Sequence, residues 1–222
     1  MRKLFVYLAT VFALWLTSCE KPTKILIIGD SISLGYTPFV AESMEKENCI
    51  VTHNPGNGED SKYGLSNVEA WITADDYDVI QFNWGLWDLC YRNPESKVQG
   101  HRDKVNGKLT ATPEEYGSNL RAIIELMKEK SDAQLIFVST TYVPTEEAGR
   151  FEKDALFYNK VAEQIMNEYD IPINDIYDES KQVHATHGLG NDNVHYTDKG
   201  YEELGLVIKS FLTKTIKATD GQ

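Results

Sequence analysis

The fold follows from one stretch near the amino end of the chain, Lys24-Ile25-Leu26-Ile27-Ile28-Gly29-Asp30-Ser31. Its apolar run shows no clean alternation, which is typical of a strand covered on both faces of a parallel sheet. The polar residues that follow leave the carboxyl end of this strand, where open α/β sheets bind ligands. Near the other end of the chain, Asp192-Asn193-Val194-His195 adds a carboxylate and an imidazole to the Ser31 hydroxyl. These are the three groups of serine-based acyl transfer.

The rest of the 222-residue chain repeats an alternation of short β-branched runs and amphipathic helical patterns. This rhythm predicts a single α/β domain in which helices cover a five-stranded parallel sheet in a three-layer α/β/α sandwich. Strands are predicted at 24–28, 50–54, 78–82, 134–139 and 172–174. Helices are predicted at 37–46, 66–74, 113–130, 149–168 and 198–214, from the i, i+3, i+4 spacing of their apolar residues.

Several polar segments leave the carboxyl ends of the predicted strands and can converge on one edge of the sheet. They are Ser31, the loop 54–61, the segment 83–88 and the loop after Thr141. The long polar stretch 89–112 is interpreted either as a binding loop or as a mobile cover over the site.

The charge and cysteine content narrow the class of protein. With 34 acidic against 22 basic residues, the formal net charge is -12, which argues against a nucleic-acid partner. Cys49 and Cys90 are expected at opposite ends of the sheet, which argues against a disulfide bridge between them.

The first residues have the pattern of a targeting segment rather than of the fold. Arg2 and Lys3 precede an apolar run, and Leu16-Thr17-Ser18-Cys19 closes it. The ending resembles the lipobox of bacterial lipoproteins, which implies a signal peptide over 1–18, an acylated Cys19, a tether over 19–23 and a domain over 24–222. The resemblance implies a lipid-anchored protein on the periplasmic or outer-membrane face of a bacterial cell envelope. A soluble exported protein cleaved nearby is the alternative.

The two polar blocks resemble those of the SGNH, or GDSL, hydrolase superfamily, over nearly the whole chain from residue 24 onward. In that family the serine of an early GDS block and a late D-x-x-H block form the catalytic triad. The resemblance implies a flavodoxin-like fold that needs no cofactor. It assigns Ser31 as the nucleophile, His195 as the general base that later protonates the leaving alcohol, and Asp192 as the group that orients His195. Ser31 lacks the spacing of the G-x-S-x-G elbow of α/β-hydrolases.

The same resemblance implies an oxyanion hole built from the Ser31 amide, a glycine of a second block and an asparagine of a third. Gly58 is the preferred glycine and Gly56 the alternative, which the sequence does not separate. In the third block, Gly85-Leu86-Trp87-Asp88 has a tryptophan where the usual G-x-N-D has asparagine. The block is similar to a bacterial subgroup with FNxGLHD at this place. The Trp87 indole and the Asn83 amide are therefore both candidate donors.

Four further residues near these blocks are expected to contact substrate: Asn57, Trp84, Asp88 and Tyr142. A core position is the alternative for Trp84. His184 and His187 have a spacing that suits a metal, but no further ligand accompanies them, so no metal is expected.

The resemblance implies a serine esterase that acts on a small-molecule or glycan ester. A carbohydrate O-acetyl ester is the preferred substrate, and a lipid or short-chain general esterase is the runner-up. The unusual Trp87 leaves a third interpretation, a degenerate member that binds a glycan without cleaving it.

Overall fold

The computed structural model describes residues 21–219. The strands are β1 (Thr23–Ile28), β2 (Cys49–His53), β3 (Val79–Phe82), β4 (Tyr91–Arg92), β5 (Lys108–Leu109), β6 (Gln134–Val138) and β7 (Ile173–Asn174). The helices are α1 (Ser31–Glu45), α2 (Ser61–Ile72), α3 (Pro113–Lys130), α4 (Glu152–Glu168), α5 (Tyr177–His187) and α6 (Asp198–Thr219). The predicted signal peptide and Cys19 lie outside the described residues.

The main sheet has five parallel strands, as predicted, and they lie in the order β2-β1-β3-β6-β7. All four residues of the apolar run Ile25 to Ile28 are buried, which explains the lack of polar alternation in β1. One group of helices contains α1, α5 and α6, and the other contains α2, α3 and α4, with helices packed on one another within each group. These two groups and the sheet form the predicted three layers.

The strand order places the site. The chain passes from β1 to β2 on one side of the sheet, and then crosses back over β1 to β3 on the other side. Because parallel crossovers are right-handed, this reversal puts α1 and α2 on opposite faces and opens a crevice beyond the carboxyl end of β1. Ser31 begins α1 at that crevice.

Two helices begin earlier than predicted. α1 starts at Ser31 rather than at residue 37, because the Asp30 side chain accepts the Ile32 amide and caps the helix. α2 starts at Ser61 rather than at residue 66, because the Asp60 side chain accepts the amides of Lys62 and Tyr63. The spacing of apolar residues does not reveal a first helical turn that is polar.

The helix α5 was not predicted from the sequence. Only Tyr177, Ser180, Val183 and His184 of this helix are buried, so its apolar stripe is too sparse to show a helical period. At the ends of the other helices, α4 begins at Glu152 rather than at 149, and α6 continues to Thr219.

The polar stretch 89–112 is folded against the body of the protein. β4 and β5 form a two-stranded antiparallel ribbon. The Tyr91 amide donates to the Gly149 carbonyl at 2.7 Å, and the Lys104 amide donates to the Ala148 carbonyl at 2.7 Å. These contacts favour the binding-loop interpretation over a mobile cover.

Within residues 21–219, Cys49 and Cys90 are both buried, and no disulfide joins them. Within residues 21–219, every helix is too short or too polar to cross a bilayer.

Candidate active site

Ser31 and His195 meet at the crevice beyond β1, although 164 positions separate them in the chain. The Ser31 Oγ lies 2.9 Å from the His195 Nε2. α1 presents the serine at its first turn, and the loop between α5 and α6 carries the histidine. A hydroxyl in hydrogen-bond contact with an imidazole is the arrangement that activates a serine nucleophile.

Asn193 sets the tautomer of His195. The backbone amide of His195 donates to the Asn193 Oδ1 at 3.1 Å, and the His195 Nδ1 lies 2.7 Å from the same oxygen. Because this oxygen only accepts hydrogen bonds, Nδ1 must carry the proton. The lone pair of the neutral ring then lies on Nε2 and faces the Ser31 hydroxyl. This is the protonation state of a general base.

The assignment of Asp192 as the group that orients His195 is wrong in this structure. The Asp192 side chain is exposed, and the Nδ1 of His195 is bonded to its neighbour Asn193 instead. The conformation of the turn explains why Asn193 rather than Asp192 bonds to His195. The backbone amide of Asn193 donates to the Gly190 carbonyl, and the backbone carbonyl of Asn193 lies 2.7 Å from the buried His184 Nε2. Asparagine also holds the histidine in some cysteine-protease triads.

A second serine–histidine pair lies two residues further along α1 but is closed to substrate. The Ser33 Oγ is 2.7 Å from the His53 Nε2. Ser33 is buried and also donates to the Asp30 carbonyl, and a Cβ at Gly29 would lie 2.7 Å from its hydroxyl. This pair therefore supports the turn beneath Ser31 rather than the chemistry.

Ser31 and His195 open into a cavity of about 190 Å³, which we call the Ser31 cavity. Its walls come from the third sequence block, from the stretch 89–112 and from the turn after β6. The wall residues that matter here are Leu86, Trp87, Arg92, Arg102, Arg150 and Asn193. The volume is below the roughly 300–1,000 Å³ of clefts that hold drug-sized ligands.

The three arginines of this wall were not predicted from the sequence. They come from separate parts of the chain, and no short motif connects them, so only the fold brings them together. The buried Glu147 pairs with Arg102 at 2.5 Å and with Arg150 at 3.0 Å. The concentration of arginine in an acidic protein, at the predicted sheet edge, is the one signal that could have drawn attention to them.

The electrostatics of the cavity favour neutral His195. Burial lowers the pKa of its imidazole, the charges of Arg150 and Arg102 lower it further, and only Glu147 acts in the opposite direction. A base with a lowered pKa stays unprotonated in more acidic solution.

We therefore expect the acid limb of the kcat/KM profile to be half-maximal below pH 6.5, the ordinary value for the imidazole. The general base works only when it is neutral, so activity falls as pH drops through the pKa of His195 in the free enzyme. Initial rates with a neutral ester between pH 4 and pH 9, a range of about five units around that pKa, measure the limb. A midpoint at or above 6.5 contradicts this electrostatic account.

The predicted oxyanion glycine is not available in the structure. The Gly58 amide donates to the Gly29 carbonyl at 2.8 Å, and a Cβ at Gly58 would lie 2.6 Å from that oxygen. Gly58 is a glycine because two turns touch here. The alternative, Gly56, is exposed and outside the wall of the Ser31 cavity. The Ser31 amide stands in the first turn of α1, where helix geometry leaves it without a partner.

The two candidate donors of the third block differ. The Asn83 Nδ2 donates to the Val138 carbonyl at 2.7 Å, and Asn83 faces a smaller neighbouring cavity, so its assignment to the oxyanion hole is not supported. Trp87 lines the Ser31 cavity, and its indole N–H makes no hydrogen bond to the described residues, so it remains a candidate donor. The Arg92 guanidinium lies over its ring, 4.7 Å from the centroid. Trp87 thus supplies a free donor and a platform for an arginine.

Two of the four predicted substrate contacts belong to the core instead. Trp84 is 1% exposed, and its indole donates to the Gly58 carbonyl at 3.1 Å. Asp88 is fully buried and accepts the amide and the hydroxyl of Ser61 at the start of α2. Burial raises the pKa of Asp88 to about 6. Through these hydrogen bonds, Trp84 and Asp88 connect the segment 83–88 to Gly58 and to the start of α2.

The other two predicted contacts also lie outside the wall of the Ser31 cavity. The Asn57 side chain accepts the Glu59 amide at 2.8 Å in a tight turn. Tyr142 packs edge-on against His184, with 5.5 Å between ring centroids. His184 is thereby a packing residue, and His187 lies 3.5 Å from Glu203. Within residues 21–219, no three potential ligands among histidine, cysteine and carboxylate side chains gather as a metal site would require.

Comparisons with known proteins agree with this architecture. No protein-family model and no curated protein matches the chain. Among solved structures, an acetyl xylan esterase matches with a TM-score of 0.64 at 15% identity, over 84% of this chain and 98% of that one. A lipase/acylhydrolase from Enterococcus faecalis matches with a TM-score of 0.65 at 21% identity, over 87% and 96%.

A third solved structure is an acetylxylan esterase from Geobacillus stearothermophilus, with a TM-score of 0.65 at 18% identity, over 84% of this chain and 92% of that one. Proteins described as GDSL-like lipases, from Bacteroides thetaiotaomicron and Parabacteroides merdae, match to a similar degree. The three-layer α/β fold of this chain is therefore also the fold of these solved esterases, lipases and acylhydrolases.

Proposed function

We propose that this protein is a serine esterase that hydrolyses short acyl esters, with an O-acetyl group on a carbohydrate as the preferred substrate. One observation carries the proposal: the Ser31 hydroxyl lies 2.9 Å from the unprotonated nitrogen of His195 and opens into a cavity. The similar folds of acetyl xylan esterases and acylhydrolases support the same class of reaction.

The geometry supports a two-step reaction. In the first step, the Ser31 Oγ attacks the ester carbonyl while its proton passes to the His195 Nε2. The tetrahedral oxyanion forms beside the N-terminus of α1, where the unpaired Ser31 amide and the helix dipole stabilise negative charge. Trp87, which lines the same cavity, offers its indole N–H. The C–O bond to the alcohol then breaks, and Nε2 returns the proton to the leaving alcohol.

The second step reverses these roles for water. Nε2 takes a proton from a water molecule, whose oxygen attacks the acyl group on Ser31. Collapse of the second tetrahedral intermediate breaks the bond to Ser31, and the serine recovers its proton from Nε2. The Asn193 Oδ1 stays bonded to Nδ1 throughout and keeps the ring in place.

The cavity supports a short acyl group. Its volume of about 190 Å³ suits an acetyl group, whereas a lipid would also need an apolar extension for its chain. The charged residues of the wall make such an extension unfavourable. For the location, we propose attachment to a bacterial envelope membrane through a lipid on Cys19. The lipobox-like sequence supports this, and membrane fractionation of a Cys19→Ser protein tests it.

The acyl specificity is tested with p-nitrophenyl acetate and p-nitrophenyl octanoate. We expect kcat/KM to favour the acetate by about tenfold or more, since a small site discriminates against extra methylenes. Equal or faster hydrolysis of the octanoate would instead favour a lipid esterase. Acetate release from acetylated xylo-oligosaccharides, compared with acetylated small alcohols, tests the carbohydrate part. Failure to hydrolyse any of these esters would favour a protein that only binds glycans.

A further inference from the structure

Arginine is concentrated at the Ser31 cavity to a degree that the general chemistry of ester hydrolysis does not require. The sequence contains five arginines, Arg2, Arg92, Arg102, Arg121 and Arg150, within a chain of net charge -12. Three of them, Arg92, Arg102 and Arg150, line this one cavity. The buried carboxylate of Glu147 balances one of these charges, so the cavity is cationic in an acidic protein.

All three guanidinium groups are held in the same way. The Nε and Nη1 of Arg92 bond to Thr110 and to the Gly100 carbonyl, and its plane lies over Trp87. The Nε of Arg102 donates to the Gln99 carbonyl, and its Nη1 donates to the Glu147 carboxylate.

Arg150 follows the same pattern. Its Nε donates to the Leu86 carbonyl at 2.6 Å, and its Nη1 donates to the Glu147 carboxylate at 3.0 Å. In each arginine the Nη2 makes no hydrogen bond to the described residues. The protein therefore fixes the three side chains and leaves one pair of N–H groups of each without a protein partner. Fixing donors in advance lowers the entropy lost on binding a ligand.

From this arrangement we propose that the Ser31 cavity recognises a carboxylate on the alcohol part of its ester substrate, so that the preferred substrate is an O-acylated acidic sugar of the uronate type. The inference rests on the proposed esterase function. An acetyl group has no position for a charge, so the anion must belong to the alcohol. A carboxylate fits because guanidinium groups match its two oxygens in a plane.

The test compares the release of acetate from 4-acetoxybenzoate and from its neutral methyl ester, in which a methyl group removes the charge of the carboxylate. We expect the ratio of kcat/KM, anionic over neutral, to exceed one and to fall about tenfold or more in Arg92→Gln, as expected for loss of a charge-assisted hydrogen bond. Arg92→Lys should give an intermediate ratio, because lysine keeps the positive charge but lacks the planar pair of N–H donors of the guanidinium group. Arg121→Gln is the matched control and should leave the ratio unchanged, since Arg121 pairs with Glu168 on the surface.

Two further measurements separate the possible failures. Calorimetric binding of glucuronate, compared with glucose, to the Ser31→Ala protein reports the carboxylate site without catalysis. Arg92-dependent glucuronate binding in a protein that hydrolyses no ester would uphold the carboxylate site and reject the esterase. Hydrolysis of both esters with no charge preference and no glucuronate binding would overturn the carboxylate site and leave the esterase standing. A preference confined to p-nitrophenyl succinate over the butyrate would place the charge on the acyl part and would also overturn the proposal.

Discussion

Ser31→Ala is expected to reduce the hydrolysis of p-nitrophenyl acetate by a factor of about 10⁴ or more, close to the uncatalysed background. The Ser31 Oγ is the hydroxyl in contact with the His195 Nε2 at the cavity. Removing the oxygen deletes the atom that would carry the acyl group, and the neighbouring Ser33 cannot replace it because it is buried. Steady-state rates with the purified protein measure the loss.

A matched control keeps this result interpretable. Ser43→Ala makes the same chemical change on the same helix, at a serine whose hydroxyl donates to the Val40 carbonyl away from the cavity. It should retain the wild-type rate. An organophosphonate should add covalently to the wild-type protein and fail to add to the Ser31→Ala protein, as seen by intact mass. Normal activity in Ser31→Ala would remove Ser31 as the nucleophile and with it the proposed mechanism.

Asn193→Ala is expected to lower kcat by a factor of about 10²–10⁴. The smaller loss is expected if the histidine ring is only partly misoriented, and the larger loss if its proton moves to the wrong nitrogen. The Asn193 Oδ1 accepts the Nδ1 proton at 2.7 Å, and this bond keeps the lone pair of Nε2 facing Ser31. Without it, the ring can rotate or place its proton on Nε2, and then it cannot accept the serine proton. Stopped or steady-state rates with p-nitrophenyl acetate measure the effect.

Two substitutions at the same turn distinguish orientation from general damage. Asp192→Ala should stay within about threefold of wild type, because the Asp192 carboxylate is exposed and a surface substitution of this kind changes little. Asn193→Asp should keep substantial activity and move the acid limb of the pH profile upward, because a carboxylate beside the imidazole favours its charged form. The opposite ranking, with Asp192→Ala inactive and Asn193→Ala unaffected, would restore the family assignment of Asp192.

The fold could be predicted largely from local patterns. The strands β1 and β3 were placed within one residue of their observed limits, because an uninterrupted apolar run between polar turns has few other solutions. α5 was missed for the opposite reason, since its buried face is small and partly polar. The starts of α1 and α2 were placed too late, because their first turns are held by capping aspartates rather than by apolar contacts.

The residues of the candidate site also differ in how far they could be predicted from the sequence. The pairing of Ser31 with His195 followed from two motifs whose residue types are chemically restricted, and the structure brings the two side chains into contact. The choice between Asp192 and Asn193 depended on the path of a turn, and a shift of one residue in a turn points the next side chain in another direction. The donors at Gly58 and Asn83 were assigned by position in a block, while their hydrogen bonds go to Gly29 and Val138.

Residue order alone was sufficient for the strand–helix alternation and the acidic balance, because these depend on composition and on spacing along the chain. The two family-like motifs were sufficient to pair Ser31 with His195, whose side chains are in contact. Residue order was not sufficient for the cationic wall, since Arg92, Arg102 and Arg150 come from three separate segments and become neighbours only when the ribbon and the turn after β6 fold over the sheet edge. The orientation of a guanidinium or an amide is set by hydrogen bonds to distant backbone, and such contacts exist only in the folded chain.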